Sequence, residues 1–415
     1  MDLTIIPHKL SGDVSIPSSK SIAHRCLICA ALADGVSKIK NISMSQDIYA
    51  TINALESLGA KFDIDKSSIT VTGISNASRT ADIDCGESGS TLRFIIPVAC
   101  AIGTQSVFSG HGRLPERPID IYIRELSSKG ITFSYNNTMP FTVSGTLSGG
   151  NFCVEGNVSS QFITGLMLAL PLCSQDSHIC LTSPLQSEPY VNITIECLRY
   201  FGIKIEKTER GYFIKGNQKY SPAEYTVEAD FSQAAFFIVA NSIGNKINIT
   251  NLPNYVCSAQ GDKKIIEIAE HLCYNKKAGI KDDLYINASD IPDLVPILSV
   301  LCSLSECRTH ITNAERLKIK ESDRLETTAR MLSNLGGNVV KTENGLIISP
   351  ICSFSGGTVD SYNDHRIAMA AAIAATASTE TVYIKNFDAI KKSYPDFLPD
   401  YKKLGGAVCN GITLE

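Results

Sequence analysis

One pattern recurs six times along the chain and decides what it can fold into. Each copy is a short apolar strand, a polar loop, and then a helix rich in Ala, Leu and Ile. The first runs Val14-Ser15-Ile16-Pro17-Ser18-Ser19-Lys20-Ser21 into 26–32, and the second Ile83-Asp84-Cys85-Gly86-Glu87-Ser88-Gly89-Ser90 into 92–101. The third spans 152–161 and then 163–172, the fourth 225–230 and then 234–241. The fifth spans 284–290 and then 294–302, the sixth 357–364 and then 367–375. The copies start roughly 60–73 residues apart, too long for a solenoid repeat and suited to a whole supersecondary unit.

Behind most copies lies a second helix that stops at glycine, as at Gly59, Gly202 and Gly336. Period-2 strands follow, such as Lys204-Ile205-Glu206 and Tyr212-Phe213-Ile214 across Glu209-Arg210-Gly211. The unit therefore reads β-α-β-α-β-β. A chain of 415 residues is too long for one ordinary core, so six units divide as three in each of two domains.

The composition, 44% hydrophobic and 19% charged, is globular and not disordered. A net charge of −4 gives no overall basic field, which argues against nucleic acid as a partner. An anionic ligand would need a local cationic cluster. No apolar run reaches membrane-spanning length. Met1-Asp2-Leu3-Thr4 shows no basic region followed by an apolar core, so no signal peptide is expected. The 14 cysteines are scattered among apolar neighbours and fit buried thiols in a reducing cytoplasm. Cys26 and Cys29 form a C-x-x-C on an apolar helix face with no second pair or histidine nearby, and read as packing residues. Neither G-x-x-x-x-G-K-[ST] nor G-x-G-x-x-G occurs, which excludes those nucleotide sites.

In every copy the polar loop leads into a helix N-terminus, where free N–H groups and the dipole favour anions. Ser, Asp and Asn there serve equally well as ordinary caps, so the charged residues must arbitrate. The loops hold Lys20, Ser21 and Arg25; then Gly89, Ser90 and Arg93, with Arg117 following; then Ser159, Ser160 and Gln161. Later come Lys318, Lys320 and Arg324, then His365 and Arg366, then Lys391 and Lys392. Arg offers paired donors to carboxylate and phosphate, and Lys a point charge. Such a site suits substrates with several negative charges. Two acids stand among these cations, Asp293 and Glu321. Each could be a dipole counter-charge at a helix start or an acid–base group.

Nine motifs in order resemble the 5-enolpyruvylshikimate-3-phosphate synthases (3-phosphoshikimate 1-carboxyvinyltransferases), members of the enolpyruvyl transferase family. They are Ser19-Lys20-Ser21 with Arg25, Gly86-Glu87-Ser88-Gly89-Ser90-Thr91-Leu92-Arg93, Glu116-Arg117-Pro118-Ile119, Ser159-Ser160-Gln161 and Ser187-Glu188-Pro189-Tyr190. The others are Ile291-Pro292-Asp293, Lys320-Glu321-Ser322-Asp323-Arg324-Leu325, Asp364-His365-Arg366-Ile367-Ala368-Met369 and Lys392-Ser393-Tyr394-Pro395-Asp396.

The resemblance implies an α/β fold of two domains, each an inside-out α/β barrel of three β-α-β-α-β-β repeats. One domain would hold 1–17 and 228–415, the other 18–227, with the active site in the cleft between them. It also implies residue roles. Shikimate 3-phosphate would meet Lys20, Ser21, Arg25, Ser159, Ser160, Gln161, Ser187, Tyr190, Asp293 and Lys320. Phosphoenolpyruvate would meet Lys20, Gly89, Arg117, Gln161, Arg324, Arg366 and Lys392. Asp293, Glu321 and Lys20 would be catalytic, Asp293 taking the proton of the attacking hydroxyl and Glu321 protonating the methylene carbon. A cytoplasmic monomer is implied, acting on two small molecules and needing no metal or organic cofactor. Glyphosate would be an inhibitor.

Two positions depart from the family pattern. Many members carry Asn where Glu87 stands, and some carry Asn where Arg316 stands. The related UDP-N-acetylglucosamine enolpyruvyl transferases place a reactive cysteine in the loop before the Arg-Pro motif. Here that loop reads Gly110-His111-Gly112-Arg113-Leu114-Pro115-Glu116-Arg117 and has none. An inert anion-binding relative would have no need of both Asp293 and Glu321.

Overall fold

The computed structural model describes residues 1–66 and 68–410. The chain divides into two compact units, one formed by Met1–Pro17 with the chain from Ala229 onward, the other by Ser18–Glu228. Among the described residues there are five four-stranded sheets and one of two strands. No helix among them is long and apolar enough to cross a membrane.

The Ser18–Glu228 unit holds three sheets of one design. Two parallel strands flank a buried helix, and an antiparallel hairpin extends the sheet. In one, Thr80–Asp84 runs parallel to Gln105–Ser109, followed by Phe141–Ser144 and the edge strand Thr132–Ser134. The next orders Gly150–Val154, Ser177–Leu181, Gly211–Ile214 and Ile205–Thr208. The third orders Glu224–Thr226, Val36–Lys40, Ser68–Thr72 and Lys61–Ile64. Thr80–Asp84 turns Ala81 and Ile83 inward and its other residues outward, the period-2 pattern of a half-covered sheet.

The other unit repeats the design with one abbreviation. Leu284–Asn287, Thr309–Thr312, Leu346–Ser349 and Asn338–Lys341 form a complete sheet. Gly357–Asp360, Val382–Lys385, Leu3–Ile6 and Ala407–Asn410 form another, in which the N-terminal strand completes the last repeat. The fourth copy has only Ser11–Val14 paired with Lys246–Ile249. Its second helix, Lys264–Ala278, is separated from Leu284–Asn287 by 279–283 alone, too short a stretch for a hairpin.

The strand–helix pairing expected for the first and fourth copies is exchanged. The strand near 14 lies in the other unit, beside Lys246–Ile249, and the first copy's sheet takes Glu224–Thr226 as its outer strand. The chain passes from one unit to the other just after each of these strands, so each is parted from the helix that follows it.

The central helices are buried on nearly every side, and therefore apolar all round instead of amphipathic. Every residue of His365–Ala375 is buried, and its alanines let neighbours approach closely. Cys26 and Cys29 are buried in helix Lys20–Leu32, with Cys26 Sγ 3.8 Å from Cys197 Sγ. Burial pushes both thiols well up, away from reactive thiolate.

Pro97 sits inside the buried helix Gly89–Ala101. Having no N–H, it leaves the carbonyl four residues back, that of Arg93, without its helical donor. The Tyr122 hydroxyl supplies the missing bond, donating to Arg93 O at 2.6 Å and lying 3.1 Å from Phe162 O. Gly165 makes the approach possible, since a Cβ there would overlap Arg93 O and the Tyr122 hydroxyl. Tyr122→Phe therefore strands a buried carbonyl. We expect it to lower the unfolding free energy by about 1–3 kcal/mol, read as the shift of a urea transition; an unchanged midpoint would show that Arg93 O needs no donor.

Candidate active site

Helix Lys20–Leu32 opens with a lysine and turns an arginine inward one turn later. Lys20 Nζ lies 2.6 Å from Asp47 Oδ2, an acid in the first turn of helix Gln46–Ser57. Arg25 is buried. Its Nε donates to Thr194 Oγ1 at 2.7 Å and Nη1 to Ser21 O at 2.6 Å. Nη2 donates to Tyr190 O at 3.1 Å and Thr164 Oγ1 at 3.2 Å, and the guanidinium lies over the Phe94 ring. Burial lowers its pKa to about 10, so it stays charged at neutral pH. A buried cation fixed by hydroxyl and carbonyl oxygens is suited to meeting an anion.

Three further helix starts in the same unit carry the other predicted residues. Ser88 caps Gly89–Ala101 by accepting from Thr91 N. Gly89 leads that helix, and a Cβ there would run into the Arg117 guanidinium. Ser159 caps Ser160–Ala169 by accepting from Gln161 N. The Gln161 amide is held at both ends, Oε1 accepting from Arg93 Nη1 at 2.7 Å and Nε2 donating to Ser90 Oγ at 3.0 Å. Arg93 also donates through Nη2 to Pro118 O at 3.0 Å, which ties Gln161 to the loop of Arg117. Ser187 is buried with φ of 57°, a strained value for a non-glycine residue, and starts the helix Glu188–Tyr200 that carries Tyr190. Glu87 sits 3.7 Å from His111 Nδ1, on the loop leading to Arg117.

The second cluster belongs to the other unit and centres on Arg324, which is 1% exposed. Its Nη1 lies 2.8 Å from Asp293 Oδ1 and its Nη2 2.6 Å from Glu321 Oε2. Nε and Nη2 clasp Asp364 at 2.7 and 3.2 Å. Asp364 is also the cap of His365–Ala375, accepting from Arg366 N at 3.0 Å. Arg366 reaches Asp293 twice, Nη2 to Oδ2 at 3.1 Å and Nη1 to the carbonyl at 3.1 Å. Lys320 Nζ stands 3.5 Å from Asp293 Oδ1. Burial alone would raise Asp293; Arg366, Lys320 and Arg324 outweigh it and hold the carboxyl well below the usual range, with Glu321 opposing them. Burial lowers Lys320, and its acid partners only partly restore it. Lys392 Nζ donates to Asn363 O at 2.6 Å, on the loop just ahead of Asp364.

The structure thus gathers Lys20, Ser21, Arg25, Tyr190, Gly89, Arg117 and Gln161 around helix starts of one unit. It gathers Asp293, Lys320, Glu321, Arg324 and Arg366 in the other. Two cations of the sequence motifs turn elsewhere. Lys318 Nζ donates to Glu343 O, and Lys391 pairs with Asp388 at the surface. Arg316 Nη2 donates to Ser289 O at 2.7 Å. Sequence reasoning missed Asp47, Asp364 as the partner of Arg324, and Arg93 as the holder of Gln161. Asp364 lay inside a recognised motif. Asp47 carried no signal beyond an acid in a helix's first turn.

The chain matches the family described as EPSP synthase (3-phosphoshikimate 1-carboxyvinyltransferase) over residues 5–401. Proteins named 3-phosphoshikimate 1-carboxyvinyltransferase from Clostridium novyi and Clostridium perfringens are 46% and 44% identical to it. These alignments cover 98% and 97% of this chain and 98% of each relative. An EPSP synthase structure from Acinetobacter baumannii superposes with a TM-score of 0.79 at 23% identity, covering 98% of this chain and 99% of that one; it bears on the fold alone. On the family match and these relatives, the chain belongs to the EPSP synthase family.

Proposed function

We infer that the chain is a transferase that moves the carboxyvinyl group of phosphoenolpyruvate onto the 5-hydroxyl of shikimate 3-phosphate and releases phosphate. This is the shikimate-pathway step that leads to chorismate and the aromatic amino acids. The observation that carries the reading is the Arg324 cluster, where two acids, Asp293 and Glu321, share one guanidinium beside Lys320 and Arg366. The chemistry needs two acids because two protons move on different reactants. C2 of phosphoenolpyruvate becomes electrophilic only as C3 gains a proton, while the attacking hydroxyl must lose one. Addition gives a tetrahedral intermediate, and loss of phosphate with a C3 proton regenerates the double bond.

In this reading Asp293 takes the hydroxyl proton and Glu321 delivers the proton to C3. Arg324, Arg366, Lys392, Arg117, Gly89, Gln161 and Lys20 receive phosphoenolpyruvate. Ser21, Arg25, Ser159, Ser160, Gln161, Ser187, Tyr190, Lys320 and Lys20 receive shikimate 3-phosphate together with Asp293. Pairing with Arg324 favours the charged form of Glu321. A substrate carboxylate taken up by Arg324 would weaken that pairing and let Glu321 hold the proton it must give. Fourteen unpaired thiols fit a reducing cytoplasm, and we take the working form to be a monomer.

Two experiments test these roles. Asp293→Asn and Glu321→Gln should each lower kcat by roughly 10²–10⁴-fold, the usual span for one positioned acid or base. They should differ in deuterated water. Glu321→Gln should slow solvent exchange into the methylene group of phosphoenolpyruvate, read by mass spectrometry, while binding of shikimate 3-phosphate stays near normal. Asp293→Asn should impair that binding as well. Undiminished exchange in Glu321→Gln would assign the proton to another group.

The second concerns Gly89, whose missing side chain leaves the place the Arg117 guanidinium occupies. Gly89→Ala should keep the fold, since only the tip of a flexible side chain must move. It should raise KM for phosphoenolpyruvate and weaken competitive inhibition by glyphosate, each by about 10-fold or more, the worth of one misplaced methyl group. Unchanged KM and inhibition would remove Arg117 from the phosphoenolpyruvate site.

A further inference from the structure

His24 follows Lys20 by one turn of helix Lys20–Leu32 and is buried. Its Nδ1 lies 2.7 Å from the hydroxyl of Thr51, on helix Gln46–Ser57. Thr51 itself follows Asp47, the partner of Lys20, by one turn. Lys20–Asp47 and His24–Thr51 are therefore successive rungs between the same two helices. The Thr51 hydroxyl lies 2.7 Å from that of Thr91, on helix Gly89–Ala101. The Thr91 hydroxyl donates to Ser88 Oγ at 2.8 Å, the atom that also accepts from Thr91 N at 3.2 Å and caps that helix just ahead of Gly89. Four side chains, none more than 1% exposed, thus form one chain from the helix of Lys20 to the start of the helix of Gly89.

The direction of this chain follows from counting protons, since each hydroxyl has one to give. Thr91 gives its proton to Ser88, so it accepts from Thr51. The Thr51 proton is then spent, and Thr51 accepts from His24 Nδ1–H. His24 is thus neutral with its proton on Nδ1, and its Nε2 has no hydrogen-bond partner among the described residues. Burial, and then the charges of Lys20 and Arg25, hold the imidazole well below its usual pKa. A threonine inside a helix commonly turns its hydroxyl back to the carbonyl four residues earlier, as Thr194 does to Tyr190 O. Thr51 and Thr91 instead spend theirs between helices. A buried polar chain of this kind is costly to interrupt, and when complete it specifies one arrangement of the elements it joins.

We propose that His24 is a positioning residue for phosphoenolpyruvate: through Thr51 and Thr91 it holds the helix start at Gly89 against the helix that carries Lys20. The inference rests on the carboxyvinyl-transfer reading above, which gives both ends of the chain to that substrate. The neighbouring Arg25 makes a separate set of bonds, through Thr164 and Thr194 to helices Ser160–Ala169 and Glu188–Tyr200. Those helices carry residues given to shikimate 3-phosphate, whereas the far end of the His24 chain bears on phosphoenolpyruvate alone.

The test is the kinetics of phosphate release with each substrate varied in turn. Thr51→Val keeps the outline of the side chain and removes the hydroxyl at the middle of the chain. It and His24→Leu should each raise KM for phosphoenolpyruvate by about 10-fold, within the roughly 10²-fold that a 1 Å misplacement can cost, and move KM for shikimate 3-phosphate by less than about 2-fold. His24→Asn sets an amide N–H close to where Nδ1 stands and should restore the wild-type KM; His24→Gln carries its amide past that point and should not. Thr51→Val and His24→Leu should also lower the urea midpoint, as loss of any buried bond would, so the split between substrates is the readout that a purely structural chain would not give. Nitrogen NMR of histidine-labelled wild type should show His24 as the Nδ1–H tautomer. An Nε2–H tautomer would overturn the proposal. So would a folded Thr51→Val with unchanged KM for phosphoenolpyruvate, an equal rise for both substrates, or a His24→Asn no better than His24→Leu. If His24→Leu does not fold, Thr51→Val and the tautomer decide it. Absence of phosphate release from wild type, with the Nδ1–H tautomer in place, would instead sink the carboxyvinyl-transfer reading, and this proposal with it.

Discussion

One buried guanidinium holds three carboxylates, and the proposed acid–base cluster is arranged around it. Arg324 has almost no exposed surface, nor has Asp364, its bidentate partner. Removing such charges from water costs several kcal/mol per ion, so the pair is weak evidence for extra stability. Its effect is to fix positions. Burial opposes the charge on Arg324, yet Asp364, Glu321 and Asp293 together keep it firmly protonated. Asp364 also caps the helix on which Arg366 sits, so one carboxylate places both arginines.

The same economy runs through the repeats. Ser88, Ser159, Asp230 and Asp364 each cap a buried core helix through a side-chain oxygen, whereas Ser19 stands at its N-cap without such a bond and the fifth helix, Val295–Ser303, follows Leu294. The residues just after them include Lys20, Gly89, Ser160 and His365, so the residue that closes the helix also aims its neighbours. A buried helix cannot leave its first N–H groups unsatisfied, which favours polar residues at these four points. In the proposed reading, chemistry is added at positions that folding already favours as polar.

How far the sequence spoke depended on the range of the interaction. Lys320, Glu321 and Arg324 lie within one short segment, and their convergence follows from a loop entering a helix. The pairs Lys20–Asp47, Arg93–Gln161 and Arg25–Thr194 join residues 27, 68 and 169 positions apart and exist only once helices pack. No local pattern encodes them. The exchanged strands were hidden for a related reason. A strand near 14 and one near 225 each satisfy the repeat's alternation wherever they pair, and only tertiary contact selects the partner. The abbreviated fourth copy departs from the full unit expected of it, because 279–283 leaves no room for a hairpin. The Pro97–Tyr122 device was half legible: a proline inside an apolar helix announces an orphan carbonyl, but not the hydroxyl that reaches it.

The resting partners of the cations bear on how binding and chemistry are joined. Lys20 rests on Asp47, Arg324 on Glu321 and Asp293, Arg366 on Asp293, and Lys392 on a backbone carbonyl. Under the proposed reaction each cation would meet a substrate anion by exchange, with its earlier partner wholly or partly released. For a structural acid such release would be a plain loss. In the roles proposed for Asp293 and Glu321 it is the condition for acting at all, because an acid clamped by arginines neither accepts nor keeps a proton readily. An incoming phosphate or carboxylate that draws on the same guanidinium groups moves both acids toward ordinary proton affinity. Under the proposed reaction, the negative charge that makes these substrates bind is also what readies the two acids, which are otherwise held by the same ion pairs that fix the positions of the arginines.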